Sequence, residues 1–115
     1  MKKIVIKKVP KDKIRNRGIG DYLKKGGGIE IRVADLNNEN DELGVAIHEL
    51  VESTLVNKRG IKFRDIDKFD KKHEDEDREP GEMKDSPYRK EHLFANAVES
   101  AFIKELRKKI KKFNK

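Results

Sequence analysis

The 115-residue chain has no cysteine, no tryptophan and only three prolines. Without cysteine there can be no disulfides, thiolate zinc ligands, iron–sulfur clusters or cysteine nucleophiles, so any metal site must be built from His, Asp and Glu. No stretch approaches the ~20 consecutive apolar residues that span a bilayer. The Lys-rich start is followed by no apolar run of signal-peptide length. These absences lead to the expectation of a cytoplasmic protein with no membrane partner. Apolar residues are also scarce, 34% against 44% charged, which predicts a thin core with part of the chain left in water. A chain of this length closes one hydrophobic core and not two, so residues 1–115 are read as a single domain.

The net charge of +7 is unevenly placed. Residues 1–25 hold ten Lys/Arg against two Asp, and residues 104–115 hold seven against Glu105 alone. The stretch between them carries twelve basic and nineteen acidic residues. Basic ends suit nucleic acid or an acidic partner, whereas an acidic middle favours a cation. For Lys104 to Lys115 the competing reading is a solvated basic helix end.

Ile4, Val5, Ile6 and Val9, closed by Pro10, read as a strand, and Ile29, Ile31 and Val33 alternate with Glu30 and Arg32 in the period-two pattern of a second. Between them, residues 11–28 are basic and close with Gly26, Gly27 and Gly28. The triplet lacks the Lys-Ser/Thr of a phosphate-binding loop and precedes a strand, so it is read as a hairpin or loop. Helix signals follow. Asn37 to Glu42 offers N-caps and Lys58, Arg59 and Gly60 a stop, predicting a helix over about 41–58 with an apolar stripe of Leu43, Ala46, Ile47, Leu50, Val51 and Leu55. A shorter helix is expected over 63–75 with Ile66 and Phe69 inward, then a flexible acidic loop over about 74–86 containing Pro80 and Gly81. Ser86 and Pro87 read as N-cap and first residue of a last helix reaching about 111, buried through Phe94, Val98, Ala101, Phe102 and Leu106. The expected fold is α+β, a short two-stranded or otherwise small antiparallel sheet packed against about three helices.

The chemistry concentrates in His48-Glu49-Leu50-Val51-Glu52. Residues four apart share a helical face, so His48 and Glu52 can reach one metal ion, and the Glu after the first ligand is where zinc hydrolases place a general base. The simpler reading is a hydrogen-bonded core histidine with Glu52 paired to Arg59 or Lys62. On the last helix His92 and Glu99 project within about 20° of each other. With His92 as third ligand the set becomes two His and one Glu, the composition of catalytic zinc sites that leave a fourth position to water; zinc or another divalent ion is the expected cofactor. Glu99, ~10 Å along the helix from His92, is read as orienting a His ring. Asp70 and His73, with Glu74, are reserve ligands, and His73 otherwise reads as a solvated loop residue.

Residues 29–56, with a strand of the Ile29 to Val33 kind, a polar turn and the motif helix, resemble zincin-type metalloproteins. They are more closely similar to small phage- or prophage-encoded proteins carrying His-Glu-Leu-x-Glu. Ser86-Pro87-Tyr88 followed by Glu91-His92 also looks like the second block of those phage proteins. Glu52 stands where the zincin pattern has a second His. The resemblance implies a minimal zincin-like fold, a zinc-dependent hydrolase of the metallopeptidase kind, and a peptide or amide substrate bound along a strand edge. Tyr88, close to His92 in sequence, is a candidate to stabilise the oxyanion. Two other functions compete. Glu49-x-x-Glu52 and Asp67-x-x-Asp70 also read as the paired carboxylates of an all-helical, magnesium-dependent nucleotide pyrophosphohydrolase. A nonenzymatic binding protein with a structural metal would instead use its basic ends on nucleic acid, with salt-dependent affinity.

Overall fold

The computed structural model describes residues 3–108. Three strands, β1 (Ile4–Val9), β2 (Gly20–Lys25) and β3 (Gly28–Ala34), form one sheet in the order β1-β3-β2. β3 is the centre and is buried along almost its whole length. Ile29, Ile31 and Val33 face the core, while Glu30 on the other face lies 3.2 Å from Lys7 Nζ and 3.3 Å from Lys25 Nζ. The glycine triplet makes the β2–β3 hairpin. Lys25 pairs with Gly28, and Gly26 and Gly27 both take positive φ (57° and 82°), the two-residue turn whose twist matches the strands.

The sheet corrects the expectation of two antiparallel strands. β1 runs parallel to β3 and β2 antiparallel to it. The 4–9 and 29–33 segments do pair, but with a third strand and its hairpin interposed in sequence, so the chain re-enters the sheet in the same direction. β2 escapes the sequence pattern because one of its buried residues is a carboxylate. Asp21 accepts bonds from Arg32 Nε (2.8 Å), Arg32 Nη2 (2.8 Å), Arg15 Nε (3.1 Å) and the Arg15 backbone N–H (2.9 Å). Arg15 also reaches Asp67, tying the sheet edge to the second helix. The three strands contradict the all-helical alternative.

Three helices cover one side: α1 (Glu39–Lys58), α2 (Phe63–Lys72) and α3 (Arg89–Leu106). The Asn38 side chain caps α1 by accepting from Asp41 N–H, and Glu42 accepts from Leu36 N–H in the preceding turn, tying that turn to the helix. α1 lies between the sheet and α3, and this changes which side is buried. The fully buried positions are Gly44, Val45, His48, Glu52, Ser53 and Val56, whereas the expected stripe is only partly covered and Leu43 is exposed. Gly44 is where the two helices meet: a Cβ there would come 2.8 Å from Ile103 Cδ1.

α3 departs from expectation at both ends and in its facing. Ser86 and Pro87 precede the helix, Tyr88 occupies the N-cap, and the Ser86 hydroxyl accepts from Tyr88 N–H. Tyr88 is drawn inward, which delays the first helical turn to Arg89. The buried residues are Glu91, His92 and Ala95, while Phe94 is 56% exposed and Ala101 is also exposed. The helix is turned by about one residue because His92 and Ala95, not Phe94, meet α1. It ends at Leu106, before the expected 111, with Arg107 and Lys108 already outside the helix and exposed. The part of the basic end past 108 lies outside the described residues. α2 stops at Lys72, with Ile66 buried and Phe69 half-buried. The acidic segment after it is not wholly exposed: a 3-10 turn at Pro80–Glu82 buries Gly81, and Met83 is buried next to it. Among the described residues no helix is long and apolar enough to cross a membrane.

Candidate metal centre

α1 supplies His48 and Glu52 on its buried side, and α3, packed across it, supplies His92. One Glu52 oxygen lies between the two rings: Oε1 is 3.2 Å from His48 Nε2 and 2.8 Å from His92 Nδ1. The rings meet edge to face with centroids 4.9 Å apart. Among the described residues these three form the one group of His, Asp or Glu whose ligand atoms all lie within 4.8 Å of one another, and all three are buried. The buried group could hold a metal ion. Tetrahedral zinc with bonds of ~2.0–2.1 Å sets neighbouring ligand atoms about 3.3 Å apart, close to the two contacts that Glu52 makes.

The outer nitrogens carry the fit further. His48 Nδ1 lies 3.0 Å from Glu99 Oε1, and His92 Nε2 lies 3.7 Å from Glu82 Oε2, yet neither nitrogen makes a well-formed hydrogen bond. In a neutral imidazole only one nitrogen carries a proton. If both inner nitrogens donate to Glu52, the outer ones present bare lone pairs to Glu99 and Glu82. If the outer ones carry the protons, two lone pairs and a carboxylate oxygen crowd one point. Added positive charge relieves the conflict, as a proton on His48 or on both rings, or as a cation among the three inner atoms. With a cation inside, the outer N–H groups point at carboxylates, the arrangement that fixes ring orientation in metal sites.

The surrounding charge has the same bias. Burial drives the Glu52 carboxyl upward, but bonds from His48 and His92 outweigh it and hold the group below its ordinary value. Burial likewise lowers His92, but the bond and charge of Glu52 leave its net value raised. Glu49 has no such partner. Its side chain is 12% exposed and its Oε2 is 3.9 Å from His48 Nε2. Burial, then the Glu52 charge, pushes its pKa well above the usual carboxylate range. A carboxyl beside the centre but outside the ligand set, with raised basicity, is what a general base requires.

The remaining candidates fall into place around this core. Glu99 sits against His48 rather than His92. Tyr88 is buried and its hydroxyl donates to Asp70 Oδ1 at 2.6 Å, so the proton an oxyanion would need is already committed. Asp70 is thereby a partner of Tyr88 and stays outside the three-residue cluster; burial raises its pKa to about 6. His73 contacts Glu76 and the Phe69 ring and is also outside the cluster. Sequence reading missed Tyr22. It points from β2 into the same cavity of about 280 Å³ as His48, Glu49 and Glu52. Its hydroxyl is buried without a well-formed hydrogen bond, with Glu52 as its nearest polar neighbour, and burial followed by the charges of Glu52 and Glu49 drives its pKa upward. Glu82 was missed as well, because it belongs to a turn with no periodic pattern. The rarity of tyrosine, two in the chain, was the available signal for Tyr22.

No family model, curated protein or solved structure matches the chain. The likeness to zincins and to the phage-encoded proteins therefore has the motif residues alone behind it.

Proposed function

We propose that the protein is a zinc-dependent hydrolase of zincin type, acting on peptide or amide bonds, with His48, Glu52 and His92 as the metal ligands. The observation that carries it is the shared Glu52 oxygen between two imidazoles whose outer nitrogens face Glu99 and Glu82. A bound zinc ion would supply a Lewis acid for a carbonyl and a water of pKa about 7. Glu49 would take the proton of the attacking water and deliver it to the leaving amine, a transfer its raised pKa suits. The Tyr22 hydroxyl would donate to the substrate oxygen as it becomes negative, a role for which a phenol without a well-formed hydrogen bond is better suited than Tyr88, which is bound to Asp70. The antiparallel outer strand β2 beside the motif helix supports the zincin likeness.

Elemental analysis of untagged protein tests the site. About one zinc per chain is expected, with loss of the ion from His48→Ala and His92→Ala. Stoichiometric zinc in the double variant, or a wild-type protein that takes up no divalent ion, would leave Glu52 as the hub of a purely protonic network. Cleavage of a mixed peptide pool by the zinc-loaded chain, abolished by a chelator and restored by zinc, tests the activity.

A further inference from the structure

The chain is formally +7, yet the cavity at the metal centre is strongly acidic. Nine carboxylates line it against the guanidinium groups of Arg15 and Arg78. Both arginines are engaged, Arg15 with Asp21 and Asp67, and Arg78 with Glu76. Among the described residues no Lys or Arg pairs with Glu49, Asp70, Glu74, Asp77 or Glu79. A second observation points to a ligand in the same space: the Tyr22 hydroxyl, on a residue only 6% exposed, lines the cavity without a well-formed hydrogen bond. A buried phenol leaves its hydrogen bond unmade only at a cost, so a polar group from outside is expected there. The volume of about 280 Å³ is close to the ~300 Å³ lower end of ordinary ligand clefts, which suits a single side chain with its adjoining backbone.

We propose that this cavity selects a cationic peptide, one that places a Lys or Arg side chain against the Asp77 and Glu79 wall while a backbone carbonyl takes the Tyr22 hydroxyl. The selection names the substrate class of the hydrolase proposed above and rests on that reading for cleavage, though not for binding. The low-dielectric walls focus the field of the carboxylates into the cavity, so a cation gains there and an anionic group meets repulsion. Asp77 and Glu79 are exposed at the rim and flank the approach, whereas Glu49 and Asp70 lie deeper.

Fluorescence anisotropy on the full-length, zinc-loaded chain tests this with three fluorescent, end-blocked peptides that differ only in a central Lys, Gln or Glu. The Lys peptide is expected to bind roughly five- to tenfold tighter than the Gln peptide, the worth of one or two partly exposed ion pairs, with the Glu peptide weakest. The advantage should shrink as salt rises from about 0.1 M to about 1 M, over which the Debye length falls from ~10 Å to ~3 Å. The Asp77→Asn/Glu79→Gln double variant should lose most of it. Equal affinity for all three peptides, binding of none, or a Lys preference undiminished in the double variant would overturn the proposal. Preferential binding of a Lys peptide that is never cleaved would uphold charge selection and count against the hydrolase; cleavage with no charge preference would do the reverse.

Discussion

Gly81 lies directly against the His92 ring: a Cβ built on it would come 2.4 Å from His92 Cγ and 2.6 Å from Nδ1, the atom that faces Glu52. The turn at Pro80–Glu82 thus acts as a backstop that fixes the ring, and only glycine leaves room for it. Gly81→Ala should push the imidazole off Glu52 while leaving the helices intact. Perturbing the groups that orient a ligand commonly costs ~10–100-fold in metal affinity, and a loss in that range is expected in competition with a chelating dye. Unchanged affinity with unchanged circular dichroism would show that His92 is not a ligand.

Tyr22→Phe removes one oxygen and almost no volume. Because that hydroxyl is buried without a well-formed hydrogen bond, its loss should leave the melting temperature unchanged or raise it slightly, contrary to the usual effect of deleting a buried polar contact. Turnover should fall by about 10²-fold or more, as when an oxyanion donor is removed, and KM should rise as well, because the same hydroxyl holds the carbonyl of the bound peptide. A marked drop in melting temperature would reveal a structural bond for the phenol; full turnover would remove it from the reaction.

Asp70 provides a pH test away from the ligands. Its folded pKa of about 6 stands above the ordinary value of 3.8 because burial disfavours the charge. Between those values the folded chain binds more proton than the unfolded one, so the contribution is fully present below about 3.8 and is lost as pH rises through about 6. Asn cannot ionise but still accepts from the Tyr88 hydroxyl. In metal-free protein, the melting temperature of Asp70→Asn relative to wild type should therefore rise from about pH 4 to about pH 7. A flat difference would mean that Asp70 ionises in the fold as it does in the unfolded chain, and one that falls with pH would mean that the fold favours its charge.

Much of the architecture was legible where periodicity is strong. The motif helix, the 29–33 strand and the glycine turn follow from patterns of two or 3.6 residues and from special backbone angles at Gly26 and Gly27. The misses share a cause: polar residues that are buried through specific side-chain partners outside their own helix or strand. β2 was invisible because Asp21 is held by Arg32 across the hairpin and by Arg15 before it. The face of α3 was misjudged because Glu91 and His92 go inside, Glu91 through a 2.7 Å bond from Arg59 and His92 through Glu52, while Phe94 stays out. A hydrophobic stripe cannot announce a face whose burial is offset by ionic and hydrogen-bonded pairs. The same pairing explains why His48, Glu52 and His92 could be grouped from helical spacing, whereas Glu82 and Tyr22, brought in by a turn and an unrecognised strand, could not.

Glu49 separates a working centre from a structural one. Its carboxyl is mostly buried, lies 3.9 Å from His48 Nε2 and has Glu52 rather than a cation as its strongest charged neighbour. The folded pKa is raised, so in metal-free protein the charged form opposes folding, and stability falls as pH rises from the ordinary value of 4.5 through the raised one. Glu49→Gln keeps the shape and hydrogen-bonding reach but cannot ionise. The metal-free variant should therefore melt higher than wild type at neutral pH and about level with it at pH values below 4.5, the sign expected when a site holds a charge for function at the expense of stability. Zinc content should be unchanged, because Glu49 lies outside the ligand set. Turnover of any peptide found to be cleaved should fall by roughly 10²- to 10⁴-fold, the usual cost of losing a general base. Loss of zinc in the variant would make Glu49 a ligand, and full turnover with zinc retained would end its role as base. A variant less stable than wild type at neutral pH would show that the carboxylate is paired in the fold and that its pKa is not raised.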